Sequence, residues 1–256
     1  MSDNTNSSAE NANDPLLAVI VPVLNEEDNV VPLIEEIVAA LEAVCAYEII
    51  YINDGSTDGT AAKLAEMRAR YANLRVVEHS ARAGQSTALR TGVLAARARL
   101  IATLDGDRQN DPADIPKLLE AWQEADRAGS GCVMITGHRV NRRDSWSKRQ
   151  ASGIANAFRR FALRDDNPDT GCSLKLYERE LYLKLPFFDH MHRFLPALAQ
   201  REGAEVRVVP VNHRERGSGQ SKYTNFSRLL VGIPDLLGVM WLIRRAQGRV
   251  QSREVE

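Results

Sequence analysis

The chain reads as an α/β protein built on a mostly parallel sheet with helices on both faces. Two observations predict this. From about residue 16 to residue 139, short continuously apolar runs alternate with helix-length amphipathic segments, the pattern of strands covered on both sides and joined by crossover helices. The polar, chemistry-bearing residues also recur where the apolar runs stop, and in such sheets ligands bind at the carboxyl ends of the strands. A chain of 256 residues fits one large domain of this kind and can bury a sizeable core unaided.

LAVIVPVL, in the 16–24 region, is the first buried strand. NEEDNVVPLIEEIVAALEAV follows as a helix: Asn25 can cap it, acidic residues crowd its first turn, and Val30, Leu33, Ile34, Ile37, Val38 and Leu41 recur at helical spacing. YEIIYIN (47–53) is a second strand, DGSTDGT a turn with a cap, and TAAKLAEMRARYA a second helix. LRVVEHS (74–80) is a third strand and GQSTALRTGVLAARA (84–98) a third helix. LIATLD is a fourth strand, PADIPKLLEAWQEADRAG (112–129) a helix with proline in its first turn, and CVMITGHR (132–139) a fifth strand.

The second half has a different texture. Residues 142–163 form a basic helix, GCSLKLYERELYLKL mixes a short strand with a helix, 194–203 is helical, and EVRVVPVNHRER (205–216) is an extended strand before the flexible loop GSGQSKY. The apolar stretch Leu229–Ile243 is interrupted by Pro234 and Asp235. It is too short for a spanning helix, which needs roughly 20 apolar residues.

The formal net charge of -1 gives no global attraction for nucleic acid, and no such partner is expected. Cys45, Cys132 and Cys172 are scattered without a CxxC pair, which argues against a disulfide framework or thiolate zinc site and suits a reducing compartment. No signal peptide is expected, and the polar N-terminal residues read as a tail.

The stretch LDGDRQNDP puts Asp105 and Asp107 on one face of an extended chain, with Gly106 between them leaving the backbone open to close approach. Two carboxylates and the Gln109 amide oxygen are hard ligands that suit Mg²⁺ or Mn²⁺ better than zinc. Such a cation keeps positions open for the phosphates of a substrate. For the acidic pair alone, a polar loop capping the next helix through Asp111 is an open alternative. Asp54 at the neighbouring strand end favours the binding reading; as a lone residue it could equally be a turn-forming Asx.

PVLNEEDNV, NDGSTDGT, the Asp-x-Asp-x-Gln of LDGDRQNDP, DTGCSLKLY and RGSGQSKY occur in this order. Together they resemble family 2 glycosyltransferases of the GT-A fold, over roughly residues 16–240. More narrowly, they are similar to dolichol-phosphate mannose synthases and bacterial polyprenyl-phosphate glycosyltransferases. The resemblance implies a glycosyltransferase domain over 16–226, an apolar or amphipathic helix over 227–247, and tails at 1–15 and 248–256. It implies a nucleoside-diphosphate sugar held at Pro22, Leu24, Glu26, Ile52 and Asp54, with Gly106 beside it. Metal and diphosphate would sit at Asp105, Asp107 and Gln109, and basic contacts would come from Arg139, Arg216 and Lys222. Arg216 and Lys222 lie in a Gly/Ser loop, which fits a flap closing over phosphates. Arg108 departs from the family pattern and could face the donor sugar.

An acceptor hydroxyl usually needs a general base, for which Asp169 is the candidate. A phosphate monoester needs none, because it is already largely dianionic at neutral pH. In that case Asp169 positions the sugar or a basic side chain. Cations for a polyprenyl phosphate would come from Arg142, Arg143, Lys148, Arg149, Arg159 and Arg160, with Arg149 the chosen contact. Trp146 and Phe158 among those charges tilt the segment toward a lipid-headgroup surface. The C-terminal apolar segment, with Trp241 and Arg244-Arg245, reads either as an interfacial helix at the cytoplasmic membrane face or as a helix packed on the domain. His190 and His192 are assigned to orientation or packing ahead of a second metal.

The expectation is an inverting, metal-dependent transferase acting on a lipid phosphate and bound peripherally at the cytoplasmic face of a membrane. The rivals are transfer to a saccharide hydroxyl and a nucleotide-sugar-binding scaffold without turnover. A dehydrogenase is disfavoured by the missing GxGxxG after the first strand, and a P-loop NTPase by the ending of GSGQSK. The sequence fixes neither the sugar, the base nor the oligomeric state; a homo-oligomer is compatible with it.

Overall fold

The computed structural model of the chain describes residues 15–140, 163, 167–214 and 225–246. Most of the basic segment 142–163, with Arg149, and the loop bearing Arg216 and Lys222 lie outside the described residues.

Within them the strands are β1 (Leu17–Val23), β2 (Tyr47–Asn53), β3 (Leu74–Glu78), β4 (Leu100–Thr103), β5 (Val133–Arg139), β6 (Lys175–Glu178) and β7 (Glu205–Val211). The helices are α1 (Glu27–Leu41), α2 (Thr60–Arg70), α3 (Gln85–Ala95), α4 (Ile115–Arg127), α5 (Arg179–Lys184), α6 (Leu195–Arg201) and α7 (Asn225–Arg244). One sheet holds all seven strands in the order β3-β2-β1-β4-β6-β5-β7. β1 pairs in parallel with both β2 and β4, and β5 in parallel with β7. β6 runs antiparallel to β4 and β5 and lies between them.

Period-2 alternation splits the strands between two cores. Leu17, Val19, Val21, Ile49 and Tyr51 face α1, α2 and α4; Ala18, Ile20, Ile50 and Ile52 face α3 and the C-terminal helices. The first five residues of β1, Leu17–Val21, have no exposed surface at all. Each buried Leu or Ile stabilises the fold by about 1.5–3 kcal/mol relative to exposure, before entropy is counted. β1 thus anchors the sheet, and the ends of β1, β2 and β4 form one rigid rim.

Two local expectations are corrected. Asn25 does not cap α1: it takes a left-handed φ of 56° and its side-chain oxygen accepts the Thr57 N–H at 2.7 Å, tying the β1 exit to the turn after β2. The helix expected from Pro112 opens instead as a short 3₁₀ turn, Pro112–Asp114, capped by the Asp111 carboxylate.

α7 packs through Val239, Leu236, Met240, Leu242 and Ile243. The Arg201 Nε–H donates to the Leu242 carbonyl at 3.1 Å. Its opposite side exposes Ile233, Leu237 and Trp241, at 51%, 60% and 60%. The helix is therefore both packed on the domain and apolar outside. Among the described residues, no helix is long and apolar enough to cross a membrane.

Candidate active site

The rim is assembled by side chains that clasp neighbouring strand ends. After β2, Asp54 is buried. Its carboxylate accepts the Ala83 N–H at 2.8 Å and the Gly84 N–H at 2.9 Å, and lies 2.7 Å from His79 Nδ1. His79 Nε2 lies 3.0 Å from Thr91 Oγ1, so one imidazole tautomer satisfies both contacts. Asp54 therefore fixes the segment entering α3, a task not evident from NDGSTDGT, and three of its roughly four acceptor positions are taken. Gly55, at φ 74°, permits this: a Cβ there would lie 2.7 Å from the Arg82 nitrogen.

The next clasp runs from α3 to β4. The Gln85 amide donates to Asp105 Oδ1 at 2.8 Å. Asp105 is half-buried and Asp107 buried. Burial first, and the Asp107 charge second, push the Asp105 carboxyl upward; a Ser173 hydrogen bond and the charges of Lys175 and Arg139 oppose this. Gly106 sits against the end of β1, where a Cβ would lie 2.5 Å from Val23 Cγ1 and 3.3 Å from the Pro22 carbonyl oxygen. A side chain at 106 would force either Val23 or the acidic tip to shift.

β6 brings a third group to this tip. Arg139, ending β5, forms a bidentate pair with Asp169, with Nε and Nη2 each donating to a carboxylate oxygen at 2.7 Å. Burial tends to lower the Arg139 pKa, but the Asp169 partner wins and raises it. Ser173 Oγ, which shares its one proton between Asp105 and Asn110, lies 2.5 Å from Asn110 Oδ1, and Thr103 Oγ1–H donates to the Ser173 carbonyl at 2.5 Å, locking the 169–175 turn onto the acidic loop. Lys175 is buried with its ammonium under that turn. Asp105 and Asp169 thus face two basic side chains, Arg139 and Lys175, with Asp107 acting on Asp105 from beside it.

The far side of the loop is tied to β7. The Arg214 N–H donates to the Gln109 carbonyl at 2.9 Å, and Asn110 bridges His213. Glu36 of α1 accepts from Arg108 at 2.5 Å and from Arg214 at 2.7 Å. Arg108 is thereby drawn toward α1.

Of the predicted site residues, Pro22, Asp105, Gly106, Asp107, Gln109, Arg139 and Asp169 gather at this rim through the contacts above. Leu24 and Glu26 are half-buried just beyond β1, where the Glu26 N–H donates to Thr60 Oγ1 at 2.9 Å. Ile52 lies apart: its side chain is wholly buried in the α3-side core, so only backbone is left to approach a ligand. His190 and His192 form no shared metal pair: His190 Nδ1 lies 3.1 Å from Asp235 Oδ2, and His192 Nδ1 lies 2.8 Å from Ser86 Oγ. Sequence reasoning missed Gln85, His79 and Lys175. A lysine in the otherwise apolar strand SLKLY was the one signal available for them.

The acidic tip has the chemistry of a hard-cation site, with oxygen donors and no thiolate or imidazole among the contacts. Among the described residues no group of three or more His, Cys, Asp or Glu side chains is placed to hold a metal ion by itself.

The model of glycosyl transferase family 2 matches residues 18–185. The chain belongs to that family. This family 2 chain is 36% identical over 241 residues to a dodecaprenyl-phosphate galacturonate synthase of Rhizobium johnstonii, covering 91% of this chain and 70% of the relative. It is 34% identical over 211 residues to an undecaprenyl-phosphate 4-deoxy-4-formamido-L-arabinose transferase of Sodalis glossinidius, covering 81% of this chain and 63% of the relative. It therefore spans about two thirds of the length of these relatives. In fold it is similar to glucosyl-3-phosphoglycerate synthase from Mycobacterium tuberculosis in complex with Mg²⁺ and uridine diphosphate. There the TM-score is 0.64 at 18% identity, covering 90% of this chain and 79% of that one. The complex of the same enzyme with Mn²⁺, uridine diphosphate and glucosyl-3-phosphoglycerate gives a TM-score of 0.62 at 19% identity, over 90% and 80% of the two chains. The architecture is that of the GT-A glycosyltransferases.

Proposed function

We propose that this family 2 glycosyltransferase moves a sugar from a nucleoside-diphosphate donor to a polyprenyl phosphate at a membrane surface, inverting the anomeric centre. The observation that carries the acceptor is the Arg139–Asp169 pair. Both oxygens of the carboxylate best placed to serve as a general base are engaged by one guanidinium. Oxygens so occupied are tied to the guanidinium and not aimed at a hydroxyl proton, whereas a phosphate acceptor asks for no base. The names of the relatives, both polyprenyl-phosphate sugar transferases, support the same acceptor.

In this reading Pro22, Leu24, Glu26 and Asp54 frame the nucleoside. Asp105, Asp107 and Gln109 hold Mg²⁺ or Mn²⁺ and the diphosphate. A divalent cation bound there stabilises the charge that builds on the departing diphosphate. An acceptor phosphate oxygen bonds to the anomeric carbon as the bond from that carbon to the β-phosphate oxygen breaks, and the nucleoside diphosphate leaves with the electron pair. No proton has to be removed, since the second phosphate pKa is about 6. Arg216 and Lys222 are assigned to the donor diphosphate and Arg149 to the acceptor phosphate, on the family spacing and the local positive charge. Ile233, Leu237 and Trp241 recur every four residues on the outer face of α7, with Arg244 and Arg245 exposed at its end. That face suits the headgroup–acyl boundary of a cytoplasmic membrane leaflet.

Incubating the protein with Mn²⁺, a panel of nucleotide sugars and undecaprenyl phosphate should yield a glycolipid detectable by mass spectrometry. Product with a saccharide acceptor, and none with the lipid phosphate for any donor, would overturn the acceptor assignment.

A further inference from the structure

Lys175 belongs to no role derived above, yet its placement is unusual. It opens β6, directly opposite Thr103 of β4 and Thr136 of β5. Directly opposed residues project from the same face of a sheet. Thr103 is two residues before Asp105, so Lys175 stands beneath the acidic tip. Only 2% of it is exposed. Its ammonium donates to the Cys172 carbonyl and, at 3.4 Å, to the Thr170 carbonyl. Both carbonyls belong to the turn that carries Asp169 and Ser173. A cation taken out of water is costly unless anions compensate it. Burial, the larger influence, pulls the Lys175 pKa down, while the charges of Asp105 and Asp169 oppose it and favour the protonated form.

We propose that Lys175 is a fixed buried charge that sets the ligand preference of the Asp105–Asp107 site, disfavouring a bare divalent cation and favouring the cation together with a nucleoside diphosphate. This rests on the reading of that site given above. The physical reason is sign. A positive charge behind the two carboxylates repels a lone dication, so the site does not fill with metal in the absence of donor. The same charge attracts the metal–nucleotide complex, which is net negative. Lys175 touches neither ligand and acts through the field it adds to Asp105 and through the turn it holds; it is a positioning residue.

The prediction is two affinities moving in opposite directions. In Lys175→Met, Mn²⁺ alone should bind more tightly, by a few-fold, as read by electron paramagnetic resonance of free Mn²⁺. Uridine diphosphate with saturating Mn²⁺ should bind more weakly, on the order of tenfold, by calorimetry. Lys175→Gln keeps a donor for the two carbonyls but no charge, and should behave like Lys175→Met. Lys175→Arg keeps the charge and should stay within about threefold of the parent on both measures. The full-length chain is used throughout, with melting curves to establish folding. If both affinities fall together in Lys175→Gln, or if Lys175→Gln matches the parent, the lysine is only a clasp for the turn and the proposal is wrong. If Lys175→Met fails to fold, the Gln and Arg variants decide the matter alone. If the parent protein binds neither Mn²⁺ nor its complex with uridine diphosphate or guanosine diphosphate, the site assignment itself falls, and this inference with it; if only the guanosine diphosphate complex binds, the same comparison of variants is read with that nucleotide.

Discussion

Replacing Asp169 by Asn separates a carboxylate that positions Arg139 from one that removes a proton. The guanidinium makes two 2.7 Å bonds to Asp169, and the Arg139 N–H adds a third at 3.2 Å. The two side chains are only 15% and 10% exposed, so water does little to compensate a lost partner. Removing one member of a buried ion pair costs about 3–5 kcal/mol. The asparagine carbonyl still accepts one bond, which places the loss near the lower bound, about 3 kcal/mol. For a chain of this size that is a fall in Tm of about 6–12 °C. Arg139 would then be loosely held beside Asp105, so uridine diphosphate affinity should fall along with turnover. Melting curves, calorimetry with Mn²⁺ and uridine diphosphate, and a pH–rate profile read these effects. An unchanged Tm and donor affinity, with turnover reduced by about 10²–10⁴-fold, would be the signature of a lost general base. That result would refute the positioning role and restore a hydroxyl acceptor.

Gly106→Ala places a methyl group 2.5 Å from Val23 Cγ1. Overpacking of this kind costs about 1–3 kcal/mol, and relief comes by lifting the acidic tip. Calorimetry should show metal-dependent nucleotide binding damaged more than the urea midpoint; equal binding by variant and parent would show that the tip tolerates displacement. His192 gives a pH prediction. Burial, chiefly, lowers its pKa from 6.5 to about 3, so below pH 6.5 the unfolded chain takes up a proton that the folded chain refuses. Stability attributable to His192 is therefore intact above that pH and declines as pH falls toward 3, by at most about 1.4 kcal/mol per unit. Urea midpoints at pH 7, 6 and 5 should fall more steeply for the parent than for His192→Asn, and parallel slopes would contradict the burial argument.

The first five strands and the helices between them were legible because each carries its own periodicity. The rim was legible too, since Asp54, Asp105 and Arg139 each stand at the end of a largely apolar strand run. What stayed hidden depends on partners distant in sequence. Nothing local in SLKLY states that β6 will insert antiparallel between β4 and β5, yet that insertion puts Lys175, Ser173 and Asp169 against the acidic loop. Asp54 could not announce its bonds to Ala83 and Gly84, nor Arg108 its pairing with Glu36 of α1. α7 shows the complementary case: its composition admitted both a packed and an interfacial helix, and three-dimensional packing buries one face and leaves Ile233, Leu237 and Trp241 exposed on the other.

Diffraction at the manganese edge, from crystals grown with Mn²⁺ and uridine diphosphate, tests the account most directly. One anomalous peak is expected about 2.1 Å from carboxylate oxygens of Asp105 and Asp107, with the diphosphate on its open side. A nucleotide bound at the rim with no peak there, and with Asp107 turned inward to the Gln109 N–H that it accepts at 3.1 Å, would contradict it.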